Sequence, residues 1–143
     1  MIALVIDASV AVKWAVPEPL TNEAKTLLDG GEMCAPAHWQ AEAVNAVWKR
    51  AHRGQLSVED AKECASVLVA APVTPVPLVG LLEPAMDLAV KLRISIYDSL
   101  YVALAAERQI PLVSDDRELM RRMMAEPIFA RLALPLDRLP GSG

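Results

Sequence analysis

The sequence predicts an α/β fold, a three-layer sandwich with a mostly parallel central sheet of four to five strands flanked by helices. Two observations point there. Short, continuous apolar runs alternate with longer segments whose apolar residues recur at helical spacing. Each run is apolar throughout rather than at every second residue, as in strands buried on both faces. A third observation sets the scale. The chain has 143 residues, 54% hydrophobic and 22% charged, which suits one domain with a substantial core and excludes wholesale disorder. The net charge of -4 excludes a generic polycation that coats nucleic acid, though not a protein that reaches phosphate through a metal ion. The apolar surplus suggests that a partner or a second copy covers part of the surface.

Residues 2–6 read as the first strand, ended by Asp7, and 8–14 as a short helix broken by Pro17 and Pro19. Thr21 is placed to cap a helix to 28 that stops at Gly30 and Gly31. A strand over 33–35 and a helix over 37–53 follow, the helix ended by Gly54. Ser57, with Glu59 and Asp60 after it, caps a helix to about residue 70. A proline-edged strand at 73–76 precedes a helix over 81–92, with Leu82, Ala85, Ala89 and Leu92 on one side. Then come a helix over 97–108, a strand over 111–113, a helix over 115–124 and a last strand within 130–136. Residues 1–139 are expected to form a single domain and 140–143 a flexible tail.

The first residues carry no basic leader ahead of their apolar run and are not expected to be a signal peptide. Residues 64–82 lack charge, but Pro72, Pro75, Pro77 and Gly80 interrupt them, so no membrane span is expected. Cys34 and Cys64 form no CxxC and no zinc spacing, and read as reduced, buried residues of a cytoplasmic protein.

Four carboxylates carry the functional argument. Asp7 stands at the carboxyl end of a strand, where parallel sheets present ligand-binding groups, and equally at a helix N-cap. Asp98 lies in a helical first turn among Ile96, Leu100 and Tyr101, which is unusual company for a surface acid. Asp116 follows a strand ending in Ser114, and its neighbour Asp115 fits the role of helix cap better. Glu42 lies on a helical stripe with His38, Asn45, Lys49 and His52, opposite Val44, Val47, Trp48 and Ala51. Such a stripe is commonly a solvated face. The histidines lack an HExxH arrangement, which argues against zinc, and both read as surface or interface residues. Together the acids suggest a pocket of hard oxygen donors for Mg²⁺ or Mn²⁺.

Four ordered blocks then resemble the PIN-domain family, and within it the VapC-type toxin ribonucleases of type II toxin–antitoxin systems. They are residues 5–14 (VIDASVAVKW), Ala35-Pro36 with 42–49 (EAVNAVWK), 97–105 (YDSLYVALA) and 112–119 (LVSDDREL). They span about residues 2–125, nearly the whole chain. The resemblance places the family's four acids on Asp7, Glu42, Asp98 and Asp116. It implies that Asp7, Asp98 and Asp116 mainly hold metal, while Glu42 ligates a second ion or holds a water. Ser9, Asn45, Ser114 and Asp115 fall around them; the family's frequent Thr before the last acid is Ser114 here. The spacing from that hydroxyl selects Asp116, with Asp115 left as the competing ligand.

The implied activity is metal-dependent endoribonuclease cleavage of RNA, transfer or ribosomal RNA among the targets, with Mg²⁺ (or Mn²⁺) as cofactor. The implied partners are a cognate VapB-type antitoxin and a second copy of the chain in a homodimer. Lys13, Lys49, Arg53 and Arg117, with Arg50, Arg121 and Arg122, are candidates to hold flanking phosphates. Trp14, Trp39 and Trp48 read as core or dimer packing rather than base-stacking platforms. The alternative is a non-catalytic PIN-fold module that binds metal with RNA or protein. A haloacid-dehalogenase-like phosphatase needs an acid where Ser9 stands, and a receiver domain needs an acidic pair and a late-strand lysine that are missing.

Overall fold

The computed structural model describes residues 3–139, so the expected tail at 140–143 lies outside the described residues. β1 (Leu4–Ile6) leads directly into α1 (Ala8–Ala15). α2 (Thr21–Thr26) and a 3₁₀ turn at Leu27–Asp29 bring the chain to β2 (Met33–Pro36). α3 (Trp39–His52), α4 (Val58–Val69) and β3 (Thr74–Val76) follow. α5 (Leu82–Leu92) and α6 (Ile96–Arg108) then return the chain to β4 (Leu112–Ser114). α7 (Arg117–Met124), the short α8 (Pro127–Ala130), β5 (Ala133–Pro135) and a 3₁₀ turn at Leu136–Arg138 complete it.

The five strands form one sheet in the order β3-β2-β1-β4-β5, every neighbouring pair parallel. The expected α/β sandwich is therefore present, with all five strands in a single sheet. Val5, Ile6, Leu112 and Val113 have no solvent exposure, as continuous apolar runs in a central parallel sheet require. The strand order reverses at β1, whose neighbours β2 and β4 lead the chain to opposite edges. In such sheets ligands bind at the carboxyl ends of the strands that flank the switch point, here β1 and β4.

Register fixes what meets there. Ile6 pairs with Val113, which sets Asp7 beside Ser114. The Asp7 N–H donates to the Val113 carbonyl at 3.0 Å, so the ladder holds the backbone up to the acid itself. Trp14 and Trp39 are buried, and Trp14 Nε1 donates to the Ala24 carbonyl.

Several local expectations are corrected. Thr21 begins α2 rather than capping it. Its hydroxyl accepts from Glu18 N–H and donates to the Val16 carbonyl, which folds the proline-rich loop back on itself. The buried face of α5 is Ala85 and Leu92, continuous with Leu81. Leu82 is turned to solvent, because α6 covers the helix slightly to one side of the expected stripe. Trp48 is exposed and stacks on His52 with centroids 5.0 Å apart, so it lies outside the core, though on the same side of α3 as Val44, Val47 and Ala51. The helix expected over 115–124 starts at Arg117, and Asp116, not Asp115, is its cap.

Candidate active site

Asp7 occupies the N-cap position of α1, yet its side chain makes no capping hydrogen bond. Its carboxylate Oδ2 instead accepts two short bonds, from Ser9 Oγ and Ser114 Oγ, each 2.7 Å. The two hydroxyls lie 3.4 Å apart, and each oxygen also accepts a backbone N–H, Ser9 from Asp115 and Ser114 from Asp116. Each serine therefore clamps the Asp7 carboxylate to the loop after β4. Asp7 is 6% exposed and has no Lys or Arg ion pair among the described residues. Burial raises its pKa from 3.8 to about 6; the serine bonds oppose this, and the charges of Asp98 and Glu42 add to it.

Glu42 enters from the first turn of α3, which rises from the carboxyl end of β2. Its Oε1 accepts from Tyr101 Oη at 2.7 Å and lies 2.9 Å from His38 Nε2, one turn earlier. Burial alone pushes Glu42 up, but these two partners outweigh it and hold the carboxyl below its usual value. Tyr101 sits three residues after Asp98 on α6, fully buried. Burial, with Asp7 and Glu42 beside it, pushes its phenol far above the ordinary range, so it remains a proton donor to Glu42. The His38 ring packs against Tyr101 at 5.0 Å, and its Nε2 also lies 3.2 Å from the Tyr97 carbonyl. Two oxygens around Nε2 select the tautomer protonated there.

Asp98 is half-buried at the start of α6, where Ser95 caps the helix by accepting the Asp98 N–H. Burial raises its pKa, and Asp116 and Glu42 add to that rise; the Ser95 bond and His38 oppose it. Asp116 accepts the Leu119 N–H on Oδ1 as the cap of α7.

The fold thus gathers Asp7, Glu42, Asp98 and Asp116 into one electrostatic neighbourhood from four different elements. Asn45, one turn beyond Glu42, is exposed and makes no side-chain hydrogen bond among the described residues. The carboxylates stand apart, and among the described residues no three Asp, Glu, His or Cys side chains lie close enough to hold an ion. Like charges separate, and the donor chemistry is that of a hard cation, four oxygen acids with no soft ligand. Glu42 and Asp98 are only half-buried, so both carboxylates remain open to solvent.

Lys13 departs most from its expected role as a surface cation for flanking phosphates. Its side chain is 5% exposed and surrounded by Glu18 Oε1 at 3.0 Å, Asp115 Oδ2 at 3.0 Å and the Pro19 carbonyl at 2.9 Å. Arg50 pairs with the other oxygen of Glu18, and Arg121 and Arg122 pair with Glu118. Lys49, Arg53 and Arg117 are exposed without an ion pair among the described residues. Sequence reasoning missed Glu18, Tyr101 and the inward role of His38. Only His38 left a signal, its four-residue spacing to Glu42.

Comparison with known proteins agrees with this geometry. Residues 4–124 match the PIN domain family model. The chain is 31% identical over 127 residues to Ribonuclease VapC3 of Pyrobaculum aerophilum, covering 85% of this chain and 95% of that protein. The crystal structure of PAE2754 from Pyrobaculum aerophilum superposes with a TM-score of 0.70 at 22% identity, over 95% of this chain and 85% of that one. Mycobacterium tuberculosis VapC20, described as a sarcin-ricin loop cleaving toxin, superposes with a TM-score of 0.63 at 16% identity, over 82% of this chain and 93% of that one. The chain belongs to the PIN domain family, among its VapC-type members.

Proposed function

We propose that this protein is a metal-dependent endoribonuclease, the toxin of a toxin–antitoxin pair, with the reaction centred on Asp7, Glu42, Asp98 and Asp116. The observation that carries the reading is Asp7: a buried carboxylate with no Lys or Arg partner among the described residues, beside two more acids that raise its proton affinity. Such a group needs a cation from outside to stay ionised. A bound Mg²⁺ or Mn²⁺ would activate water and stabilise the charge that develops on the scissile phosphate. Asp7, Asp98 and Asp116 would hold it. Ser9 and Ser114 orient Asp7, and Tyr101 and His38 fix the rotamer of Glu42, which would hold a second ion or a water. The exposed Lys49, Arg53 and Arg117 are offered for RNA phosphates.

A groove of about 470 Å³ between α3 and α4, lined by Val44, Val47, Trp48 and Val58, supports a peptide segment of an antitoxin as partner. The exposed Leu82, Met86 and Val90 on α5 support a second copy. No helix among the described residues is long and apolar enough to cross a membrane, in keeping with a cytoplasmic role. The non-catalytic alternative gains no observation of its own.

The test is cleavage of total RNA by protein freed of antitoxin, in Mg²⁺, in Mn²⁺ and in EDTA, beside Asp98→Asn. Discrete fragments that need metal and fall by about a hundredfold or more in the variant are expected. Equal cleavage by both proteins would sink the site assignment.

A further inference from the structure

Two adjacent aspartates end the β4 loop, and their side chains have opposite fates. Asp116 caps α7 and shares its field with Asp98. Asp115 is drawn to the far end of α1, where Lys13 holds it at 3.0 Å. Lys13 is itself fixed by Glu18 and the Pro19 carbonyl, and Glu18 is anchored by Arg50 of α3. Four charges, two of each sign, close this network internally. An ammonium has three N–H groups, and three oxygens already surround this one, leaving no donor for a phosphate.

We propose that Lys13 is a positioning residue that sorts the two aspartates. By holding Asp115 in an internal ion pair it keeps that carboxylate out of the acid cluster, so that Asp116 alone faces Asp98 and the divalent cation. The inference rests on the metal-site reading above and adds to it the reason one aspartate of the pair is a ligand and the other is not. Without Lys13, Asp115 would be a further carboxylate beside the pocket with no cation of its own. It would compete for the ion in a geometry the serine clamp does not support.

The test is a double-substitution cycle on the full chain, read by Mn²⁺ calorimetry and by RNA cleavage, with thermal melts on every variant. Lys13→Met is expected to weaken Mn²⁺ affinity and cleavage by about 10–100-fold. Adding Asp115→Asn to Lys13→Met removes the competing charge, and both readouts are expected to return to within about threefold of Asp115→Asn alone. A merely structural role for Lys13 would give no such recovery. Losses that simply add would overturn the proposal. So would a Lys13→Met protein with wild-type Mn²⁺ affinity but weaker, less salt-dependent RNA binding in EDTA, since that is a phosphate contact. Should Lys13→Met not fold, Lys13→Gln carries the same comparison, because it keeps a hydrogen-bond donor without the charge. A wild-type protein that neither binds Mn²⁺ nor cuts RNA would overturn both readings. Tight Mn²⁺ binding by wild type and Lys13→Met alike would overturn this one only.

Discussion

Asp7 burdens the fold it serves. An acid whose pKa is raised from 3.8 to about 6 binds more protons folded than unfolded between those values. Folding is therefore favoured at low pH, and this contribution is lost as pH rises through about 6, amounting to about 1–3 kcal/mol. Asp7→Asn keeps an oxygen that can accept from Ser9 and Ser114 while removing the buried charge. In metal-free protein at pH 7 it should raise the melting temperature by about 5 °C and flatten the fall in stability between pH 5 and 7. Cleavage should be abolished in the same protein. A variant that melts below wild type at pH 7 would show that Asp7 is not strained by burial.

At the scale of elements, Asp116 caps α7 and, in the proposed function, also holds the metal, and these two roles separate by substitution. Asn is as good an N-cap as Asp, so Asp116→Asn should lose activity with little change in denaturant midpoint. Asp116→Ala should lose the same activity and about 1 kcal/mol of stability. Asp115→Asn should cost much less cleavage than either; the reverse order would make Asp115 the ligand. This pair was only half legible in the sequence. Two consecutive acids before a helix both satisfy the pattern of a cap, and the choice is made by contacts from elsewhere. Ser114 Oγ takes the Asp116 N–H, and Lys13 takes the Asp115 carboxylate. The face of α5 was misjudged for a related reason. Helical spacing groups residues but does not say which group the neighbouring helix covers.

For the whole molecule, the strands and their parallel arrangement were legible because buried parallel strands are apolar throughout. The fates of charged and aromatic residues were not, since Lys13, Tyr101 and Trp48 are placed by tertiary contacts. Among the exposed large apolar residues, Leu82, Met86 and Val90 recur every four positions along α5. If this stripe joins two copies, the wild type should scatter light as a dimer at micromolar concentration and Met86→Lys as a monomer, with cleavage by the variant as the control for folding. One mass for both proteins would remove α5 from the interface. The strand order has a consequence in time as well as in space. A ribosome delivers β1, β2 and β3 well before β4, the strand that must slot in beside β1. Until residues 112–116 emerge, Asp7 lacks the Ser114 hydroxyl and Asp98 lacks the neighbouring charge of Asp116. Asp7 and Glu42 are synthesised well before Asp98, and Asp116 comes last, so the four acids are assembled only once residues 112–116 have emerged.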